Sequence, residues 1–322
     1  MELEDEKTTE ALENIFMPNM VKMKNKVLDL GNKYVHYTSA ENALNILKSK
    51  RLWLRNPSCM NDYMEISHGH QMLLNFFNDA ENRKSFVEAI DAYEEGIADQ
   101  IFNEFDGWWA KIRHDTFIAS ISVHTRDEDQ HGRLSMWRAY GSQNGKAALI
   151  LNNPPKRSKN LGVILSPAAY FTNEELISEL RKIISEISNN MEYLKPLRRE
   201  TIIGAMVVAL IILAVCLKHP GFKEEQEWRL IYLPTLLPDN KWLLREVETI
   251  NGVPQVVYKM PLENSEDLEI SGLSIPELVD RILIGPTQYP LAMFDAFRDV
   301  LADLGVNASD GKVSFSGIPL RT

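Results

Sequence analysis

Hydrophobic and polar positions alternate in short runs early in the chain and recur at helical spacing later. Tyr34-Val-His-Tyr37 and Arg51-Leu-Trp-Leu-Arg55 have the period of two expected of strands. Between them Ala40, Ala43, Leu44 and Leu47 share one helical face, and Thr38 with Glu41 has capping-box spacing. Asn56-Pro57 ends the second strand. Residues 69–115 keep a helical period with polar outer positions, and Gly107-Trp-Trp109 reads as a break in it. Strands are predicted at Phe117–Val123 and Lys146–Leu151. Thr172 and Glu175 open a helix lined by Leu176, Leu180, Ile183, Ile184, Ile187 and Met191. Further strands are predicted at Trp228–Leu233, Val247–Ile250 and Val253–Lys259. The last two flank Asn251-Gly252, a pair suited to a type I′ turn. Ser274 marks a cap, Arg281–Ile284 a strand, 289–304 an amphipathic helix and Lys312–Phe315 a final strand.

Helices and strands mix here without strict βαβ alternation. That predicts an α+β fold with a mixed or antiparallel central sheet. Residues 1–31 read as a helical N-terminal extension. Residues 32–322 read as a single domain with a helical insertion at about 69–115. The run Ile202–Leu217 is apolar on every side. It falls short of the roughly 20 residues that span a bilayer and reads as a buried helix inside a thick core.

Composition narrows the function classes. A formal net charge of −10 over 322 residues argues against broad binding to nucleic acid or anionic membrane. Cys59 and Cys216 are far apart and form no metal-ligand cluster, which fits a reducing, cytoplasmic setting. The start, Met1-Glu-Leu-Glu-Asp-Glu6, is acidic where a signal peptide is basic. No membrane association and no bound metal are expected, and the oligomeric state stays open.

Four polar clusters sit beside predicted strands. Glu225 and Glu227 are two apart, so an extended backbone would turn both carboxylates to one side, with Arg229 as the neighbouring cation. His36-Tyr37-Thr38 lies where a strand meets a helix. Asn61, Asp62, Glu65, His68 and His70 form the third cluster, in which Glu65 and His68 share a helical face; a metal-dependent hydrolase or nuclease would be built there. Trp137, Arg138 and Tyr140 form the fourth, an aromatic pair with a cation that suits a planar ring and a phosphate. The common phosphate loops and the nucleophile elbow are absent from the sequence.

In order and spacing these blocks resemble a bacterial family of unassigned function, the domain of unknown function numbered 2971. The resemblance runs through His36-Tyr-Thr-Ser39, Ile46-Leu-Lys-Ser49, Arg51–Leu54, Asn61-Asp62, Glu65 and Met136–Gly141. It continues through Lys218–Arg229, Ile284-Gly-Pro286 and Ser316–Arg321. Tyr63 stands where the family usually has proline, and Ser122–Asp129 lacks its usual Cys-Phe-Ser look. The order His36, Tyr140, Glu227 also resembles the His-Tyr-Glu order of ADP-ribosyltransferases. That resemblance implies an NAD-dependent ADP-ribosyltransferase or NAD glycohydrolase, of the kind found among bacterial toxins and anti-phage effectors. NAD would be the substrate, and a protein or nucleic acid the acceptor. His36, with Tyr37 and Thr38, would hold the ribose. Tyr140 or Trp137 would stack on nicotinamide and Arg138 would bind the pyrophosphate. Glu227 would stabilise the developing cation, with Glu225 activating an acceptor. The alternative is a non-enzymatic, protein-binding module in which Glu227 pairs with Arg138 or Arg229.

Overall fold

The computed structural model describes residues 6–60, 65–141, 145–153, 158–238, 240–307 and 311–319. The elements run α1 (Glu6–Phe16), α2 (Pro18–Asp29), β1 (Lys33–Ser39), α3 (Ala40–Ser49), β2 (Arg51–Arg55), α4 (Glu65–Asn78), α5 (Ala80–Asp91) and α6 (Ile97–Ile112). They continue with β3 (Phe117–His124), α7 (Leu134–Ala139), β4 (Lys146–Leu151), β5 (Ile164–Pro167), α8 (Asn173–Asn189), α9 (Met191–Leu194) and α10 (Arg199–Cys216). The last are β6 (Glu227–Tyr232), β7 (Leu244–Ile250), β8 (Val253–Pro261), α11 (Ile275–Leu278), β9 (Val279–Ile284), α12 (Pro290–Asp303) and β10 (Val313–Phe315). The class is α+β, with a mixed, mostly antiparallel sheet.

The chain divides into two compact units. One collects Met1–Lys26, Pro57–Thr116 and Ser166–Lys223 and is helical. The helical region at 69–115 thus shares its core with the N-terminal residues and with α8–α10, rather than standing alone. At its centre α10 is apolar on every face, because α4, α6 and α1 all pack on it. Gly69 lets α4 approach closely: a Cβ there would stand 2.0 Å from the Ala214 carbonyl oxygen. Phe77, Phe86 and Phe102 meet edge-on or tilted, and His70 stacks on Trp109 at 4.3 Å. The predicted break at Gly107 is not there. Helix α6 runs through it, since an isolated glycine in a helix costs only about 1 kcal/mol and Phe105, Trp109 and Ile112 are buried along that helix. The breaks fall instead at Asp79, which caps α5, and at Gly96, whose φ of +80° no other residue adopts as cheaply.

The other unit comprises Val27–Asn56, Phe117–Leu165 and Glu224–Thr322. Its strands follow the order β10-β9-β4-β1-β3-β2-β8-β7, with β6 paired to β3 off this path. Only β9–β10 is parallel among the registers described. The β7–β8 hairpin turns at Asn251 (φ +52°) and Gly252 (φ +80°), as the type I′ signal predicts. One face of the sheet carries the larger core, in which Leu47 of α3 and Phe297 and Leu301 of α12 are buried. The other carries a smaller cluster of Val35, Tyr37, Met136, Trp137, Ala148, Ile150 and Leu283. Helix α3 is capped by Ser39, whose side chain accepts from the Asn42 N–H. Thr38 does not cap it, because β1 extends through Ser39 and keeps Thr38 within the ladder, opposite Ala147.

Candidate functional site

Strand β6 begins at Glu227, so Glu227 and Arg229 share a face by the period of two. The register sets Glu227 opposite Ser122 and Arg229 opposite Ser120 on β3. Arg229 donates from Nε to Glu227 Oε1 and from Nη2 to Oε2, each at 3.1 Å. Ser120 Oγ donates to Glu227 Oε1 at 2.5 Å. Arg229 is 0% exposed and Glu227 5%. Both carboxylate oxygens are therefore engaged by neighbours in a water-poor setting, where such a fork of charged bonds is strong.

Glu225 does not join Glu227 on that face. It closes a 3₁₀ turn, Pro220–Glu225, and Gln226 follows in the left-handed region at φ +45°. The period of two applies only to extended backbone, and the chain becomes extended one residue too late.

The loop before α7 is anchored by Arg133, 7% exposed. Its guanidinium donates to Glu128 Oε1 (2.6 Å) and to the carbonyls of Glu224 (2.8 Å), Glu225 (2.7 Å) and Val123 (3.0 Å). Its backbone N–H donates to the Tyr37 hydroxyl at 2.8 Å. Burial pushes Tyr37 up to about 12, so it stays a neutral phenol. Trp137 is fully buried. It donates from Nε1 to the His131 carbonyl at 2.8 Å and meets Tyr37 edge-on at 4.8 Å. A Cβ on Gly285 would stand 2.6 Å from the Trp137 ring. Trp137 therefore fills the core and presents no stacking surface. Tyr140, at the C-terminal end of α7, packs half-buried on the same cluster, and Arg138 is exposed.

His36 lies on the opposite face of the sheet from these groups. Val35 pairs with Ser122, which pairs with Glu227, so Val35 and Glu227 share a face and His36, next along, turns to the other. Strands β1 and β3 pair only over Lys33–Val35. Beyond that point His36 Nδ1 lies 2.9 Å from the Ser120 carbonyl oxygen. A carbonyl only accepts, so Nδ1 carries the proton and Nε2 keeps the lone pair. Burial lowers the His36 pKa, and the bond to Ser120 only partly opposes this. The His36, Tyr140 and Glu227 side chains are consequently not gathered at one point, and Thr38 shares the His36 face.

Of the third cluster, Asn61 and Asp62 lie outside the described residues, as do Tyr63 and the side chain of Glu65. His68 packs near His219 with ring centroids 6.4 Å apart, and His70 is taken up by Trp109. Among the described residues no group of three or more His, Cys, Asp or Glu could hold a metal.

Arg133, Glu128 and Ser120 were not expected from sequence, nor was a second buried group. His124, 2% exposed, bonds through Nε2 to Asp129 Oδ1 at 3.0 Å, and Arg281 Nη2 reaches that oxygen at 2.6 Å. Only the tertiary fold turns these ordinary-looking arginines inward. Their nearest sequence signal is the glycine before Arg133, whose φ of +66° bends the loop.

Residues 136–230 match the model of a family described as "Protein of unknown function (DUF2971)". The matched stretch contains the Met136–Gly141 and Lys218–Arg229 blocks on which the sequence resemblance partly rests. No curated protein and no solved structure matches the chain.

Proposed function

We propose that this chain is a non-enzymatic binding module that engages a partner protein through its helical unit, with Glu227 as a structural carboxylate. The observation that supports this is the saturation of Glu227 by Arg229 and Ser120. A carboxylate that steadies a developing cation must face the reacting atom in a preorganised site. Here both oxygens turn to the protein's own donors. The NAD-cleaving alternative needs His36, Tyr140 and Glu227 around one ligand, and a strand lies between the first and the last.

The test is incubation of the purified chain with NAD, with released nicotinamide and thermal stability followed for the parent and for Glu227→Gln. The expected result is no release and no thermal shift with NAD, with Glu227→Gln less stable than the parent. Nicotinamide release by the parent that disappears in a folded Glu227→Gln variant would replace the binding module with an NAD glycohydrolase or ADP-ribosyltransferase.

A further inference from the structure

The sheet ends at β10 on one side and at β7 on the other, and the two edges are built differently. Strand β10 has three residues, and its Phe315 stacks on Phe294 of α12. Strand β7 has seven, Leu244–Ile250, and pairs with β8. The two-residue turn at Asn251 and Gly252 makes Ile250 and Val253 the closing hydrogen-bonded pair. Alternation along the ladder then points the backbone N–H and C=O of Glu246 and Glu248 at β8. Those of Arg245, Val247 and Thr249 point at the free edge. Pro254, which has no N–H to give, stands opposite Thr249, where this alternation asks for none. Arg245, Val247 and Thr249 are exposed, and among the described residues their outward backbone groups have no backbone partner. Val247 is 66% exposed, and no proline or bulge interrupts β7. An edge of this kind is a ready template for one more strand.

We infer that β7 is a docking edge for an extended, basic segment of a partner protein, added antiparallel as a further strand, with lysine or arginine opposite Glu246 and Glu248 and an apolar residue opposite Val247. Charge selects this occupant. Glu246 and Glu248 share one face of β7 and one cation, Lys259 of β8, whose Nζ lies 2.5 Å from Glu246 Oε2 and also bonds Glu248. Two carboxylates to one ammonium leave a negative charge in excess beside the place a new strand would take. Opposite charges set across a strand pair stabilise it, and like charges directly opposite destabilise it. The same rule disfavours a second copy of this chain. Antiparallel self-pairing centred on Arg245, Glu246, Val247 or Glu248 sets Arg245 on Arg245, Glu246 on Glu246, Glu246 on Glu248 or Glu248 on Glu248, respectively. This edge belongs to the sheet unit and is separate from the Glu227 network.

The probe is a capped peptide, Ser-Thr-Lys-Val-Lys-Thr-Ser, compared with one carrying glutamate at both lysines and one carrying N-methylvaline at the centre. Amide hydrogen exchange of the whole chain, read by NMR, would follow β7 during titration with each. The lysine peptide is expected to slow exchange saturably at Arg245, Val247 and Thr249, far more than at Glu246 and Glu248, which already bond to β8. The glutamate peptide is expected to bind about 5-fold more weakly. Glu246→Gln combined with Glu248→Gln is expected to abolish the preference for lysine. Val247→Pro, which deletes an outward N–H and spares the β8 ladder, is expected to abolish binding, as is N-methylation of the peptide. No protection, protection without the alternation, equal binding of the two charged peptides, or binding that survives Val247→Pro or N-methylation would each overturn the assignment. Protection that grows with chain concentration before any peptide is added would give the edge to a second copy and also overturn it. If Val247→Pro fails to fold, the N-methylated peptide decides the matter.

Discussion

Around β1 and β3 one face of the sheet pairs its buried charges, although His124 Nδ1 on it has no partner among the described residues, while the other sets a histidine beside an apolar cavity. On one, Glu227, Arg229 and Arg133 spend their hydrogen-bonding capacity on named neighbours within the unit. On the other, His36 spends one nitrogen on Ser120 and its ring borders an apolar cavity. The first arrangement holds the fold in place: charges removed from water persist only when paired. A buried charge is therefore a poor guide to function unless its partners are counted.

The sharpest way to break this comparison is to strip a partner from the saturated face. Glu227→Ala removes a carboxylate bonded through both oxygens to the fully buried Arg229, and a loss of about 3–5 kcal/mol in unfolding free energy is expected from urea denaturation. Replacing both together, as Glu227→Leu with Arg229→Met, is expected to recover part of that loss, because neither member of this pair is then left facing the other's vacancy. If Glu227→Ala leaves stability unchanged, the clamp is not structural.

Arg133→Met tests the same face at a second point. It removes four donated bonds and strands the carbonyls of Val123, Glu224 and Glu225, so a loss of about 3 kcal/mol is expected. A smaller change would mean that water replaces the guanidinium readily.

The smallest effect belongs to the other face and is read through pH. The His36 pKa is lowered by burial, and that of His124 is lowered by burial against the opposing pull of Asp129 and Glu128. The unfolded chain then binds more protons than the folded one once pH falls through the ordinary histidine value of about 6.5. The stability from keeping these rings neutral is present above that pH and is lost below it. Urea midpoints should therefore fall between pH 7.5 and 5.5, and His36→Phe should flatten the fall in part, leaving the shares of His124 and of His70, whose pKa burial also lowers. An unchanged slope in that variant would place His36 in contact with water.

Much of the framework was legible in the residues. Alternation located β1 and β2, the Asn251-Gly252 pair located the hairpin, and the Thr172–Glu175 capping box located the start of α8, where both of its bonds are present. The all-apolar run became α10, the helix among the described residues that is long and apolar enough to cross a membrane, and here it is mostly buried among other helices. Short-range signals succeed there because they are set by backbone geometry and by contacts a few residues apart. The same signals misplaced the α3 cap by one residue and broke α6 where it runs on, since those outcomes depended on how far a ladder or a packed face extended.

The candidate site was less legible. Sequence singled out Glu227 and His36 but could not place them on opposite faces, a matter of register between β1, β3 and β6. It grouped Glu225 with Glu227, although a single residue, Gln226, has left-handed backbone and separates them. The sequence by itself determined the α+β class, most element positions and the buried helix, because hydrophobic period and turn chemistry are local properties. Which polar groups are spent and which remain available was decided only by tertiary structure, because hydrogen-bond partners such as Ser120 and Arg133 are brought in from strands and loops distant in the chain.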